Sequence, residues 1–297
     1  MCPTRAAVVS RLTRAAALTV ALLFAVAWRA GAQPPVLGLR AASARPGDVV
    51  AVRVTVPAGA TGVVVRAFNE AWPAYQDNPT TWRALIGIDL DRRPGQYVVE
   101  TSVAAPAGSA RRTLTVVARR FRTRTLRVAP DYVNPSPELL ARITADNVFL
   151  GTVYEQSSAT PAWTDGFVRP VPGVANSSFG TRSVFNGEPR NPHAGTDFLS
   201  GAGTPIHAPA GGRIVAAREL FFSGNTVIID HGLGVFSMLA HLSRIDVREG
   251  DSVEPGAVVG LVGATGRVTG PHLHWALRVG RARVDPLSAL ALRPGAR

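Results

Sequence analysis

Short stretches of apolar and β-branched residues, separated by Gly and Pro, run along the amino-terminal third of the chain. Between residues 34 and 128 such stretches lie at 49–56, 63–68, 83–90, 97–103, 112–117 and 121–128. Apolar runs of this length between turn residues predict short β-strands. Several of them in succession are typical of two packed antiparallel sheets. We therefore predict an immunoglobulin-like antiparallel sandwich over residues 33–128.

A helix start follows the last of these stretches. Ser136 has the side chain of an N-cap, Pro137 fits the first turn, and Glu138 lies near the positive end of the helix. We predict a short helix that ends near Asp146, within a linker at 129–165.

Residues 272–279 alternate between two kinds of side chain. Every second residue is apolar, namely Leu273, Trp275, Leu277 and Val279. His272 and His274 fall on the opposite face, because side chains at i and i+2 of a strand point the same way. The pattern predicts a half-buried strand with two imidazoles on one side. Taken alone, it also fits two surface histidines on an edge strand.

Two further groups of polar residues suggest a metal site. His193 and Asp197 can offer one nitrogen and one oxygen on the same face, and with His274 they make three protein ligands. Three ligands and an open fourth position are typical of a catalytic zinc site. A solvated His–Asp pair fits the same spacing. His241 ends an apolar run and, alone, also fits a hydrogen-bonded core histidine.

Three ordered motifs between residues 191 and 275 resemble those of the lysostaphin/LytM-type zinc endopeptidases, which cleave peptidoglycan peptides. They read Asn-Pro-His-Ala-Gly-Thr-Asp-Phe at 191–198, Ala-His-Leu at 240–242, and Gly-Ala-Thr-Gly-Arg-Val-Thr-Gly-Pro-His-Leu-His-Trp at 263–275. Members often carry Tyr where this chain has Leu239, and many carry Glu where it has Ala276. Neither position is a proposed ligand.

The resemblance implies a role for each matching residue. The implied zinc ligands are His193, Asp197 and His274, the implied general base is His272, and the implied oxyanion-stabilising residue is His241. It also implies a β-rich lysostaphin-type peptidase domain, which we place at 166–297, and peptidoglycan peptides as the substrate. The fold class we expect is therefore mainly β, with the sandwich followed by this domain. His207 and His231 match no motif, and we expect structural roles for them.

The first 32 residues have the features of a signal peptide. Arg5, Arg11 and Arg14 precede an apolar run at 15–28, and Ala-Gly-Ala at 30–32 fits a small-x-small cleavage site. The run is shorter than the roughly 20 residues of a spanning helix. We expect an exported monomer, located in the periplasm, envelope or medium, with no stable membrane anchor. Cys2 is the only cysteine, so a cleaved chain would contain neither a disulfide nor a cysteine-ligated metal.

The charge and the basic residues of the chain favour some functions and exclude others. The formal net charge is +12 and no lysine occurs, so all 32 basic residues are Arg. This charge fits attraction to an anionic cell wall, although ordinary solubility explains it too, and export argues against a nucleic acid partner. Carrier domains for biotin or lipoate acylate a lysine and are excluded. Two alternatives stay open: a non-catalytic wall-binding activator of other hydrolases, and a general secreted metalloprotease.

Overall fold

In the computed structural model of the chain, the described residues are 33–127, 133, 135–163, 166–176 and 178–292. The predicted signal peptide at 1–32, with Cys2, lies outside them. The predicted linker is described only in part. Among the described residues, no helix combines the length and the apolar composition needed to cross a membrane.

Two sheets form the amino-terminal part of the described chain. Their strands are β1 (Val36–Leu39), β2 (Ser43–Ala44), β3 (Val49–Thr55), β4 (Val64–Ala67), β5 (Glu70–Trp72), β6 (Ala74–Asn78), β7 (Thr81–Gly87), β8 (Gly95–Val103) and β9 (Gly108–Val116). One sheet has the order β1-β3-β7-β6 and the other the order β2-β9-β8-β4-β5. Every pairing within them is antiparallel except that of β2 with β9, which is parallel. The predicted strands are thus present, and the expectation of wholly antiparallel sheets is wrong at this one pairing.

The remaining strands follow β10 (Thr123–Leu126). They are β11 (Val174–Ala175), β12 (Arg182–Phe185), β13 (Glu188–Pro189), β14 (Gly195–Leu199), β15 (Pro205–His207), β16 (Gly212–Leu220), β17 (Gly224–Asp230), β18 (Val235–Ile245), β19 (Ser252–Val253), β20 (Val258–Val262), β21 (Leu273–Val279) and β22 (Ala282–Val284). Ten of them form one sheet, whose main order is β11-β14-β21-β18-β17-β16-β19, with β15, β20 and β22 paired off this path. The prediction of a mainly β protein is confirmed.

The helix α1 (Pro137–Glu155) begins as predicted, with the Ser136 side chain accepting from the Leu139 amide. It does not end near Asp146. Its second half packs on the sheet, where Phe149, Leu150, Val153 and Tyr154 contact Ala216, Ile228 and Phe236. This burial extends the helix through a segment that local sequence signals left in the linker, because packing of one face stabilises helices more than propensity does. A second, short helix, α2 (Pro286–Leu290), follows β22.

β10 belongs to a different sheet from the one the sequence suggested. It was expected as the last strand of the sandwich, but it pairs in parallel with β12 in a three-stranded sheet β10-β12-β13. β10 is an edge strand there, and its exposed Arg124 is the kind of charged residue that keeps edge strands from pairing with other chains. Its parallel partner is more than 50 residues away along the chain, so no hairpin signal marks the pairing.

The two halves of the described chain share one hydrophobic core, which runs from Leu37 on β1 to Ala289 on α2. Gly87 on β7 lies directly against β21 and β22. A Cβ atom at residue 87 would be 2.7 Å from the Ala282 Cβ and 3.1 Å from the Val279 Cβ, so only glycine allows this approach. Beside it, Arg283 bonds to Asp89 and Asp91. The amino-terminal sheets are therefore packed firmly against the strands that carry the candidate site.

Candidate metal centre

Two neighbouring strands bring the predicted ligands together. β14 and β21 are antiparallel, and their register places Asp197 opposite His274. His193 lies in the segment just before β14. Residue 195, between His193 and Asp197, must be glycine for the two strands to approach this closely. A Cβ atom at that residue would be 2.6 Å from the His274 ring. The strand predicted at 272–279 is confirmed as β21 from Leu273 to Val279, with its apolar residues buried and His274 on the other face, while His272 lies just before its first residue.

Three ligand atoms converge to nearly equal distances. The Nε2 atom of His193 is 3.0 Å from the Nδ1 atom of His274 and 3.1 Å from the Oδ1 atom of Asp197. The Nδ1 atom of His274 is 2.9 Å from that same oxygen. Tetrahedral zinc with bonds of about 2.0–2.1 Å holds its ligands roughly 3.3 Å apart. The three residues form a group that can hold a metal ion.

The hydrogen bonds around the centre test whether a cation fits. The Nδ1 atom of His193 lies 3.2 Å from the carbonyl oxygen of Ser178. Because a carbonyl oxygen only accepts, this contact places the proton on Nδ1 and leaves Nε2 of the neutral ring bare. The bare nitrogen then faces the Asp197 carboxylate, lone pair to lone pair. A metal ion held by the two residues would relieve this repulsion by accepting a lone pair from each, so the residues fit a metal.

The pKa values of Asp197 and His274 are shifted by burial and by their contacts with each other. Burial opposes ionisation of Asp197, but the hydrogen bonds and the positive charge that His193 and His274 offer in their protonated forms outweigh it and hold the pKa of Asp197 well below 3.8. Burial lowers the pKa of His274, and the hydrogen bond with Asp197 offsets this only in part. An ionised carboxylate beside neutral imidazoles is the state that metal ligands require.

An irregularity in strand β18 directs His241 toward the same site. On β18, Ala240 and His241 lie opposite one residue of β17, because the register shifts between the pairs Val227–Leu239 and Asn225–Leu242. His241 has a φ of 69°, a left-handed conformation that is uncommon for a residue with a side chain. Bulges of this kind re-aim a side chain, and strain of this kind clusters at functional sites.

His241 and His272 lie side by side at the edge of the ligand group. Their ring centroids are 4.9 Å apart. The Nε2 atom of His272 is 3.8 Å from the Asp197 Oδ1 atom, which puts His272 outside the ligand triangle. The Nδ1 atoms of both rings contact backbone carbonyls, 2.9 Å from Thr265 for His241 and 2.9 Å from Gly270 for His272. In their neutral forms, both rings therefore turn a bare Nε2 atom to the site.

Burial, together with repulsion from His274 in its protonated form, lowers the pKa of His241 to about 4. At neutral pH the His241 ring is therefore a proton acceptor at Nε2. It can donate a hydrogen bond through Nε2 only after it gains a proton.

Sequence reasoning missed Ser178, which supports two ligands. Its carbonyl oxygen contacts His193, and its Oγ atom accepts from the Asp197 amide at 3.2 Å. Ser178 lies 15 residues before His193, and no motif marks it. The carbonyls of Thr265 and Gly270 were missed as well, although both lie within the motif at 263–275.

The other two histidines lie outside the ligand group. His231 is fully buried, with Nδ1 2.6 Å from the Gly211 carbonyl and Nε2 2.8 Å from the Ser237 Oγ atom. Burial lowers the pKa of His231 to about 4. The Ser237 Oγ atom also accepts from the Trp275 indole at 3.0 Å. His207, on β15, bonds the Gly256 carbonyl through Nδ1.

Comparison with known proteins places this geometry in a family. The model of peptidase family M23 matches residues 191–286, which include all five predicted site residues. Peptidoglycan DD-endopeptidase ShyA of Vibrio cholerae is 44% identical over 98 residues, covering 33% of this chain and 23% of ShyA. DD-carboxypeptidase/endopeptidase Mpg of Neisseria meningitidis is 42% identical over 102 residues, covering 34% of this chain and 24% of Mpg. The match thus spans about a quarter of these relatives.

A solved structure from Pseudomonas aeruginosa is similar over most of the chain. The crystal structure of a peptidase M23 from Pseudomonas aeruginosa is 34% identical and covers 82% of this chain and 94% of its own, with a TM-score of 0.64. The likeness therefore extends beyond the motif region into the amino-terminal sheets. The expected family membership is confirmed: the chain belongs to peptidase family M23.

Proposed function

We propose that this protein is a secreted zinc metallo-endopeptidase that hydrolyses peptide cross-links of bacterial peptidoglycan. One observation carries the proposal: the ligand atoms of His193, Asp197 and His274 converge, and two further histidines border them. A set of two His nitrogens and one carboxylate oxygen suits zinc. Zinc, when bound, supplies Lewis acidity that acidifies water and polarises a scissile carbonyl.

The substrate class is supported by the names of relatives. ShyA is named as a peptidoglycan DD-endopeptidase and Mpg as a DD-carboxypeptidase/endopeptidase. Because the match covers only about a quarter of each relative, the substrate of this chain remains part of the proposal.

Two histidines of this chain, His272 and His241, have separate roles in the proposed reaction. His272 holds its Nδ1 proton on the Gly270 carbonyl and turns Nε2 inward, so it can take the proton of the attacking water and pass it to the leaving amine. His241 is placed beside His272 to stabilise the oxyanion. Because its neutral ring is an acceptor, His241 acts as a donor only when it is protonated, and developing negative charge at the oxyanion favours that protonation.

Export and domain organisation belong to the same proposal. The sequence at 1–32 supports a cleaved signal peptide, and a peptidoglycan substrate requires export. We assign the peptidase to residues 166–297 and the sandwich to strands β1 to β9 within 33–128, in a monomer. The function requires only one chain, because all five proposed site residues come from the carboxy-terminal part.

A digest of purified peptidoglycan tests the proposal. The zinc-loaded protein should release products whose masses show a cleaved peptide cross-link and intact glycan strands. The His274→Ala protein, prepared in the same way, should release none. If the wild-type protein leaves peptidoglycan intact but degrades unrelated proteins, the substrate class is wrong. If it cleaves neither while retaining zinc, the catalytic assignment fails.

A further inference from the structure

The Arg119 side chain contacts three separate segments of the chain at one junction. They contain Pro46, Phe179 and Asp285. It follows β9, the last strand of the amino-terminal sheets. Its guanidinium donates to the Pro46 carbonyl at 3.1 Å and to the Asp285 Oδ2 atom at 2.8 Å. The side chain of Arg119 is 25% exposed and that of Asp285 is 8% exposed. An ion pair so well covered is screened much less than a surface pair.

One route from Arg119 leads to the ligand Asp197. The other carboxylate oxygen of Asp285 accepts from the Thr196 hydroxyl at 3.1 Å, and Thr196 is fully buried on β14, next to Asp197. Asp285 also caps α2 by accepting from the Leu287 amide. The carboxylate that Arg119 holds therefore fixes the rear face of the strand that presents Asp197.

A second route leads to both His193 and Asp197. The Arg119 guanidinium lies 5.3 Å from the centroid of the Phe179 ring, which is buried. The preceding residue, Ser178, contacts the His193 ring through its carbonyl and the Asp197 amide through its hydroxyl. Backbone hydrogen bonds from Gly180 to His193 and from His193 to Thr181 complete the support.

We propose that Arg119 is a positioning residue for the metal centre, which it sets from the amino-terminal part of the chain. It touches no ligand itself. It holds Asp285 and Phe179, and these two side chains support the backbone next to Asp197 and His193. The inference rests on the proposed metal site. Outer residues that orient ligands typically change metal affinity by about 10–100-fold when they are lost.

Arg283 supplies a matched control. It forms an ion pair across the same junction, with Asp89 and Asp91, and its side chain is 29% exposed. Its side-chain hydrogen bonds and ion pairs within the described part of the chain involve Asp89 and Asp91, and none involves Phe179, Ser178 or Thr196. Loss of Arg283 should weaken the junction without moving the ligands.

The test measures the affinity of the full-length, metal-free protein for Zn²⁺ by competition with a chelator, beside thermal unfolding of the metal-free protein. Arg119→Ala should bind Zn²⁺ about 10–100-fold more weakly. Arg283→Ala should stay within about threefold of wild type, although it also unfolds at a lower temperature. Arg119→Lys keeps a positive charge near Asp285 but lacks the planar fork, so its affinity should be intermediate.

Two results would overturn the inference: a folded Arg119→Ala protein with wild-type affinity, or an equal loss in Arg283→Ala. If Arg119→Ala does not fold, Phe179→Leu decides, because it removes the ring between Arg119 and Ser178. Its affinity should fall about tenfold, and an unchanged value counts against the role.

His274→Ala serves as a separate check. If that protein keeps its zinc, the proposed metal site itself is wrong, whatever Arg119 does.

Discussion

His272, just before β21, and His274, within it, lie two residues apart, but replacing them should have different effects. The Nδ1 atom of His274 is 2.9 Å from the Asp197 Oδ1 atom, inside the ligand triangle, whereas the Nε2 atom of His272 is 3.8 Å from it. His274→Ala removes one of three ligands and should abolish both zinc binding and turnover. His272→Ala removes none and should keep near-stoichiometric zinc.

The expected size of the second effect follows from the proposed role of His272. Loss of a general base lowers the rate by about 10²–10⁴-fold. Since each factor of ten is worth 1.36 kcal/mol, the transition state loses about 3–5 kcal/mol of stabilisation. His193→Ala and Asp197→Ala should behave like His274→Ala. His241→Ala should behave like His272→Ala.

An amide variant separates the two proposed catalytic histidines. Asn donates a hydrogen bond but does not accept a proton near neutral pH. His241→Asn should therefore retain more activity than His241→Ala, while His272→Asn should be as slow as His272→Ala.

The assay combines elemental analysis for zinc with cleavage of a defined cross-linked peptide by each variant. His207→Ala is the control, since the only hydrogen bond of the His207 side chain to the described residues is to the Gly256 carbonyl, and its loss should change neither value. If His272→Ala loses its zinc while His274→Ala keeps it, the two roles are reversed. If no variant changes cleavage, the enzyme assignment itself is wrong.

Further predictions concern stability, surface charge, export and metal removal. His231 stays neutral in the folded state, with its pKa lowered to about 4, so unfolding free energy should fall by about 3 kcal/mol as pH drops from 6.5 to 4. His231→Gln should flatten this slope in denaturant titrations, and an unchanged slope contradicts the assignment. Replacing the exposed Arg120, Arg122 and Arg127 by Gln should weaken pull-down on insoluble peptidoglycan at low salt but not at high salt; equal binding at low salt rejects the contact. The exported protein should begin near Gln33 on amino-terminal sequencing, and a retained leader refutes cleavage. Chelation should abolish peptide cleavage and added Zn²⁺ restore it; activity that survives chelation excludes the metal.

The sequence predicted best those elements whose evidence is local. The alternation at 272–279 identified β21 and the face that carries His272 and His274, because a strand's period of two is visible in eight residues. The start of α1 was visible for the same reason, in the capping residue Ser136. The grouping of His193, Asp197 and His274 was expected from the motifs.

Contacts between distant segments could not be read in this way. The parallel pairing of β10 with β12 has no turn signal, and the second half of α1 is helical because Phe149 and Tyr154 pack on a sheet formed later in the chain. The left-handed backbone of His241 depends on a bulge in β18 that no glycine marks. Each feature becomes visible only when the strands are assembled.

The strands that carry the proposed ligands are anchored by buried polar groups on their opposite faces. On β14, Thr196 faces away from the metal centre and bonds Asp285. On β21, Trp275 does the same and bonds Ser237, which bonds His231. An apolar side chain at either position could fill the space but would not fix the strand along its axis, because dispersion and hydrophobic contacts are not directional. Ligand atoms about 3 Å apart require such fixing, since a shift of one strand by a fraction of that distance separates Asp197 from His274. Substitutions behind the sheet should therefore disturb metal binding before they unfold the protein.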